Sequence, residues 1–151
     1  MKTSPGPAEG DPYDLQRFVV AQARTYARAR DELQAGRKQS HWMWFIFPQV
    51  EGLGHSAMAR KYAIADLDEA RAYLAHPVLG ARLRECAGIL LGVEGRSATQ
   101  IFGSPDDMKL CSSMTLFAAV DEASDSPFPQ VLDKYYGGRV DERTLAILDG
   151  A

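Results

Sequence analysis

Residues 38–49 read Lys-Gln-Ser-His-Trp-Met-Trp-Phe-Ile-Phe-Pro-Gln and gather more potential chemistry than any other stretch of the chain. Both tryptophans, two of the six phenylalanines and one of the three histidines fall between His41 and Phe47. His41, with an unperturbed pKa near 6.5, suits general acid–base work, or else it is a hydrogen-bonded histidine that fixes how the segment enters the core. Trp42 and Trp44 offer ring faces for a planar group, or they pack the interior. The Gln49 amide both donates and accepts, and Lys38 carries a charge suited to phosphate or carboxylate. The stretch is therefore either the centre of the core or the wall of a pocket.

A second grouping lies at 106–117, Asp-Asp-Met-Lys-Leu-Cys-Ser-Ser-Met-Thr-Leu-Phe. At about 100° per residue, Asp106, Lys109 and Ser113 share a stripe of roughly 60°, with Ser112 at its border. Leu110, Met114 and Phe117 form the neighbouring apolar face, so Lys109 is paired, snorkels or lines a cavity. The alternatives are an Asp106–Lys109 pair on a rim and a polar wall suited to phosphate or ribose. Asp107 points off the stripe and caps the helix. A Ser113–His41–Asp107 triad can be assembled on paper, but it lacks a Gly-x-Ser-x-Gly elbow and a strand to mount it.

The elements that hold these groups read as helices throughout. Asp11-Pro12 opens the first, with Leu15, Phe18, Val19, Gln22, Tyr26, Ala29 and Leu33 on one face and Gly36 as its stop. The 42–47 run ends at Pro48 and is a short helix or an extended piece. Ser56 caps a short helix, and Asp66 with Glu69 resembles a capping box whose helix stops at His76 before Pro77. Leu79, Leu83, Cys86 and Leu90 mark the next helix. Ser97 caps a single turn, and Ser104-Pro105 then reads as cap and first position of a helix to about Val120. Ser126-Pro127 repeats that device up to Gly137-Gly138, and Asp141 caps a last helix. No stretch alternates with period two. The expectation is an all-α bundle of six to seven helices, one domain over 11–151, behind a flexible tail at 1–10 rich in proline and glycine.

Bulk properties narrow the function. The net charge of −3 argues against a general nucleic-acid binder. Cys86 and Cys111 sit in apolar helical patterns and read as reduced, buried thiols, and the scattered histidines give no zinc spacing. No Walker, Rossmann or His-Glu-x-x-His motif occurs, so no cofactor or metal is expected. No leader and no apolar run of membrane-spanning length opens the chain, which makes the cytoplasm the expected compartment and a membrane an unexpected partner.

The run Lys38 to Gln49 closely resembles the hallmark of the bacterial family called domain of unknown function 1810. The resemblance continues through Gly52-Leu53-Gly54, Glu69-Ala70, Leu74 to Gly80, Asp107 to Leu110 and Ser112 to Phe117, spanning about 13–148. It implies a mostly helical single domain and no particular activity. Some members carry the label calpastatin; calpain inhibitors of that kind are long, disordered and repetitive, which this helix-patterned chain is not. The expected site joins the two groupings. His41 would be its acid or base. Lys38, Trp42, Trp44, Gln49, Lys109, Ser112 and Ser113 would bind a nucleotide or ADP-ribose-like ligand, with hydrolysis as a possible outcome. The alternative is a non-enzymatic module that docks a protein through the aromatic 41–49 segment.

Overall fold

The computed structural model describes residues 10–150. The tail expected at 1–10 falls, apart from Gly10, outside the described residues. Among these, ten helices follow one another: α1 (Gln16–Ala23), α2 (Tyr26–Gln34), α3 (Met43–Ile46), α4 (Ala57–Lys61), α5 (Leu67–Ala75), α6 (Leu79–Gly92), α7 (Ala98–Phe102), α8 (Asp106–Ala118), α9 (Pro127–Tyr136) and α10 (Glu142–Gly150). The expected all-helical class holds, but the number of helices exceeds six to seven. The 11–36 pattern is two helices, broken where Thr25 N–H donates to Gln22 O at 3.0 Å, a three-residue step. The break lets α1 pack on α3 while α2 packs on α6. The 42–47 run adds the single turn α3. β-type pairing among the described residues is confined to one parallel bridge, Val50 to Ile64. No helix among the described residues is long and apolar enough to cross a membrane.

Several ends form as the residues require. Ser56 Oγ accepts from Ala59 N–H at 3.1 Å, and Ser97 and Gln100 form a reciprocal capping box at 3.1 and 2.8 Å. Asp66 caps α5 through Glu69 N–H at 2.9 Å, but the Glu69 carboxylate does not return the bond to Asp66. It turns instead to Ala65 N–H at 2.9 Å and to Arg17 at 2.9 Å. Arg17 also donates to the carbonyls of Tyr13, Asp14, Lys61 and Ala63 between 2.6 and 2.9 Å. One guanidinium thus gathers three separate pieces of chain. Ser104 does not cap α8, because Pro105 stands in the cap position and no side chain caps that end; the Ser104–Pro105 peptide is cis. At the far end of α9, Gly137 takes the left-handed conformation at φ 63° that closes the helix.

The core runs as an aromatic chain. Phe45 meets Tyr62, Tyr62 meets Phe18, Phe18 meets Tyr73, Tyr73 meets Phe117 and Phe117 meets Phe128, with ring centroids 5.1–5.9 Å apart. A second cluster joins Trp42, Phe47 and Phe102 at 6.1–6.4 Å. Such pairs each add about 0.5–1.5 kcal/mol beyond the area they bury. Helix α8 lies against α5, α7, α9 and α10, which explains why seven of its residues are buried, including three hydroxyl-bearing ones. Cys86 is buried, and burial pushes its thiol up to about 12; Cys111 is only half-buried, and both are free.

At the α5–α6 corner two stretches of backbone approach closely. A Cβ at Gly80 would lie 2.0 Å from the Leu74 carbonyl oxygen. Gly88, in the exposed middle of α6, would meet nothing within 4 Å. Gly80→Ala should therefore destabilise the fold by at least about 2 kcal/mol through forced separation of the helices. Gly88→Ala should stabilise it by about 0.5–1 kcal/mol through helix propensity. Urea titrations of the two variants check both signs, and a neutral Gly80→Ala would refute the close approach.

Candidate functional site

The connection from α2 to α3 is held by one carboxylate. Glu32, in the last turns of α2, accepts from Gln39 N–H at 2.8 Å, Ser40 N–H at 3.0 Å, Ser40 Oγ at 2.6 Å and Trp42 Nε1 at 2.9 Å. Burial works to raise its pKa, but these donors, Ser40 Oγ foremost, outweigh it and bring the carboxyl to about 2. The Trp42 ring is thereby taken wholly into the core with its N–H satisfied.

Lys38 follows from the same anchor. Its backbone N–H donates to Ile101 O at 2.7 Å, and its ammonium lies 5.0 Å above the Trp42 ring and 2.9 Å from Asp106 Oδ2. Asp106 meets a second cation: Lys109 stands 3.5 Å from Oδ1 and 5.4 Å from the centre of the Trp44 ring. The two expected groupings, 38–49 and 106–117, are thus joined by a row of two lysines sharing one aspartate, each lysine against an indole. Lys38 is the more enclosed, with its side chain 8% exposed against 29% for Lys109.

Trp44 differs from Trp42. It is half-buried and, with half-buried Gln49, lines a recess of about 10 Å³ completed by Val50, Gly52, Gly54, Ala59, Tyr62 and Ala63. That is room for one water. Larger hollows of about 280 and 330 Å³ lie elsewhere, beside Arg17 and Val20 and beside Asp66 and Leu148, with none of the candidate residues among their walls.

The remaining candidates are dispersed. His41 is exposed and forms no hydrogen bond with any described residue. Ser112 turns toward α10, its Oγ 2.9 Å from Asp141 Oδ2 and 3.2 Å from Met108 O. Asp141 there caps α10 through Thr144. Ser113 is fully buried and its Oγ meets no hydrogen-bond partner among the described residues. Asp107 accepts from Thr99 Oγ1 at 2.6 Å and from Met108 N–H at 2.8 Å. Hence Lys38, Trp42, Trp44 and Lys109 come together, Gln49 joins them through Trp44, and His41, Ser112 and Ser113 do not converge on one point. Sequence reasoning missed Glu32 and Tyr62. Glu32 lies seven to ten residues before its partners, a spacing that no helix or hairpin rule flags.

With this architecture in place the class is clear: the chain belongs to the family described as Protein of unknown function (DUF1810), which it matches over residues 12–148. The chain is similar to a solved structure, the crystal structure of the conserved hypothetical protein Rv1873 from Mycobacterium tuberculosis at 1.38 Å. The two chains are 56% identical with a TM-score of 0.90, over 92% of this chain and 99% of that one. No curated protein matches this chain.

The Glu32 anchor has a pH signature. Its carboxyl titrates near 2 in the folded chain against 4.5 ordinarily, so the stabilisation is complete above about 4.5 and is lost as the pH falls toward 2. Glu32→Gln keeps one acceptor oxygen but loses the charge and the second acceptor, and should lower stability at pH 7 by about 1–3 kcal/mol. The difference from the parent should shrink between pH 4.5 and 2, as followed by denaturant unfolding across that range. A gap that stays constant with pH would show that the charge is not what holds the segment.

Proposed function

We propose that the chain is a ligand-binding protein whose site is the Lys109 ammonium together with the Trp44–Gln49 recess. The ligand is small, planar and phosphate-bearing, a nucleotide or ADP-ribose-like molecule by chemical class. One observation carries this reading: of the two lysines on Asp106, Lys109 is the loosely held one. Its 3.5 Å contact and greater exposure leave donors free for an anion. It stands over the half-buried indole that also walls the recess, so an anion site and a hydrogen-bonding recess are adjacent. Lys38, closer to Asp106 and more enclosed, holds the row in place rather than meeting the ligand. Because the recess admits only one water-sized group, the body of the ligand lies across its rim.

Binding, rather than bond cleavage, is what the geometry supports. Hydrolysis asks for a titrating group within hydrogen-bond reach of the bound molecule. Exposed His41 has no partner to orient it among the described residues. A second reading keeps one specific support: Met108, beside Lys109 on α8, is 55% exposed and could dock a protein partner.

Isothermal titration with AMP, IMP, ADP-ribose and inorganic phosphate tests the first reading. At least one nucleotide should bind, and Lys109→Ala should weaken it by about tenfold or more, as loss of a charge-assisted hydrogen bond requires. His41→Ala should leave the affinity unchanged. No binding by any of these molecules would remove the nucleotide reading. Affinity retained in Lys109→Ala would move the site elsewhere.

A further inference from the structure

The Lys109 ammonium does not stand alone. Asp106 lies between the two lysines, with Oδ2 2.9 Å from Lys38 Nζ and Oδ1 3.5 Å from Lys109 Nζ. The carboxylate is held from the Lys38 side. The Lys38 backbone N–H donates to Ile101 O at 2.7 Å, and its ammonium lies 5.0 Å from the centre of the buried Trp42 ring. Lys38 is thereby fixed, and Asp106 cannot swing away without stranding an enclosed ammonium, a costly step. A phosphate that takes Lys109 from Asp106 therefore finds the carboxylate still in place beside it.

The start of α8 gives that phosphate little further help. Helix N-termini receive anions through unpaired backbone N–H groups. Here the Asp107 N–H donates to Gly103 O at 2.9 Å, the Met108 N–H to Pro105 O at 3.0 Å and the Lys109 N–H to Pro105 O at 3.2 Å. The Met108 N–H also meets Asp107 Oδ1 at 2.8 Å. Asp107 is a second fixed carboxylate on this turn, its Oδ2 accepting from Thr99 Oγ1 at 2.6 Å. The turn thus carries two anchored carboxylates and one loosely held ammonium.

Charge balance decides what such a cluster accepts. The two lysines and Asp106 leave one positive charge, which a single phosphoryl group meets, and Asp107 lowers the local balance further. Every additional phosphoryl group brings negative charge beside a carboxylate that cannot retreat. Two like unit charges about 4 Å apart in water weaken binding by roughly fivefold. We infer that Asp106 is a specificity-determining residue, a fixed counter-charge that restricts the Lys109 site to ligands with one phosphoryl group, nucleoside monophosphates by class, and turns away di- and triphosphates. This rests on the nucleotide reading above and narrows it to one charge class.

AMP, ADP and ATP test it, because they share base and ribose and differ in phosphate charge. Isothermal titration of the intact chain at low salt, without divalent cations, should show AMP tightest and ATP weaker by about fivefold or more. Asp106→Asn keeps an acceptor oxygen for Lys38 and removes the charge, so ATP should then bind at least as tightly as AMP. Asp68→Asn, which removes an exposed carboxylate on α5, should leave the ratio unmoved and separates Asp106 from the net charge of the chain. Melting curves establish that each variant is folded. Should Asp106→Asn not fold, the salt dependence of the parent decides: the preference for AMP should shrink at high salt as the charges are screened, and a preference that persists overturns the inference. ATP binding the parent as tightly as AMP, a preference for AMP intact in folded Asp106→Asn, or an equal shift in Asp68→Asn would also overturn it and leave the Lys109 site standing. Absence of binding by all three nucleotides would overturn both.

Discussion

The architecture depends on how an indole N–H is taken out of water. Trp42 is among the largest fully buried side chains, and its N–H, left unpaired, would cost about 1–3 kcal/mol. Glu32 meets it and, with the same two oxygens, meets two backbone N–H groups and a hydroxyl of the incoming strand of chain. Satisfying Trp42 and fixing residues 39–42 are therefore one act. Lys38 is placed by consequence, over the ring that Glu32 holds, and Lys38 in turn reaches the first residue of α8. A single carboxylate on α2 thus sets where the longest-buried helix begins relative to the aromatic segment.

The same device recurs at Arg17. The Arg17 guanidinium ties Tyr13 and Asp14 to Lys61 and Ala63 and to the Glu69 carboxylate. Both hubs serve stretches that cannot hold themselves. α3, α4 and α7 have four or five residues each, far below the roughly 12–15 at which an isolated helix begins to be stable. Their geometry comes from polar hubs and from the aromatic chain they pack against. This is why a chain of short helices can keep a fixed recess between α3 and α4.

That dependence also explains what the sequence disclosed. Helix ends governed by local rules were legible: Ser56, Asp66, Ser97, Gly137 and Asp141 act where their types place them. The all-helical class followed from the absence of period-two alternation. The break at Thr25 was not legible, because the apolar period continues across it and the bend is imposed by packing on two different partners. Ser104-Pro105 carried the expected cap residues, yet Pro105 rather than Ser104 stands in the cap position of α8. For the candidate site, the meeting of 38–49 with Asp106 and Lys109 was readable from charge and helical stripe. The roles of Glu32 and Tyr62 were not, since nothing in local spacing marks a carboxylate that folds back over ten residues or a tyrosine that reaches a recess from α4.

Trp42 and Trp44 show why residue type alone could not separate core from site. Trp42 stands at the non-helical cap position of α3 and is fully buried, while Trp44, inside the turn, is only half-buried. Glu32 captures the Trp42 N–H, and the half-buried Trp44 finds no such partner among the described residues. The Asp106 row then divides its lysines in the same sense, the inner one over the inner indole and the outer one over the outer. What distinguishes the candidate site from the core is thus not a different set of residues but the surplus left once the core is satisfied. That surplus is one loosely held ammonium beside a half-buried indole.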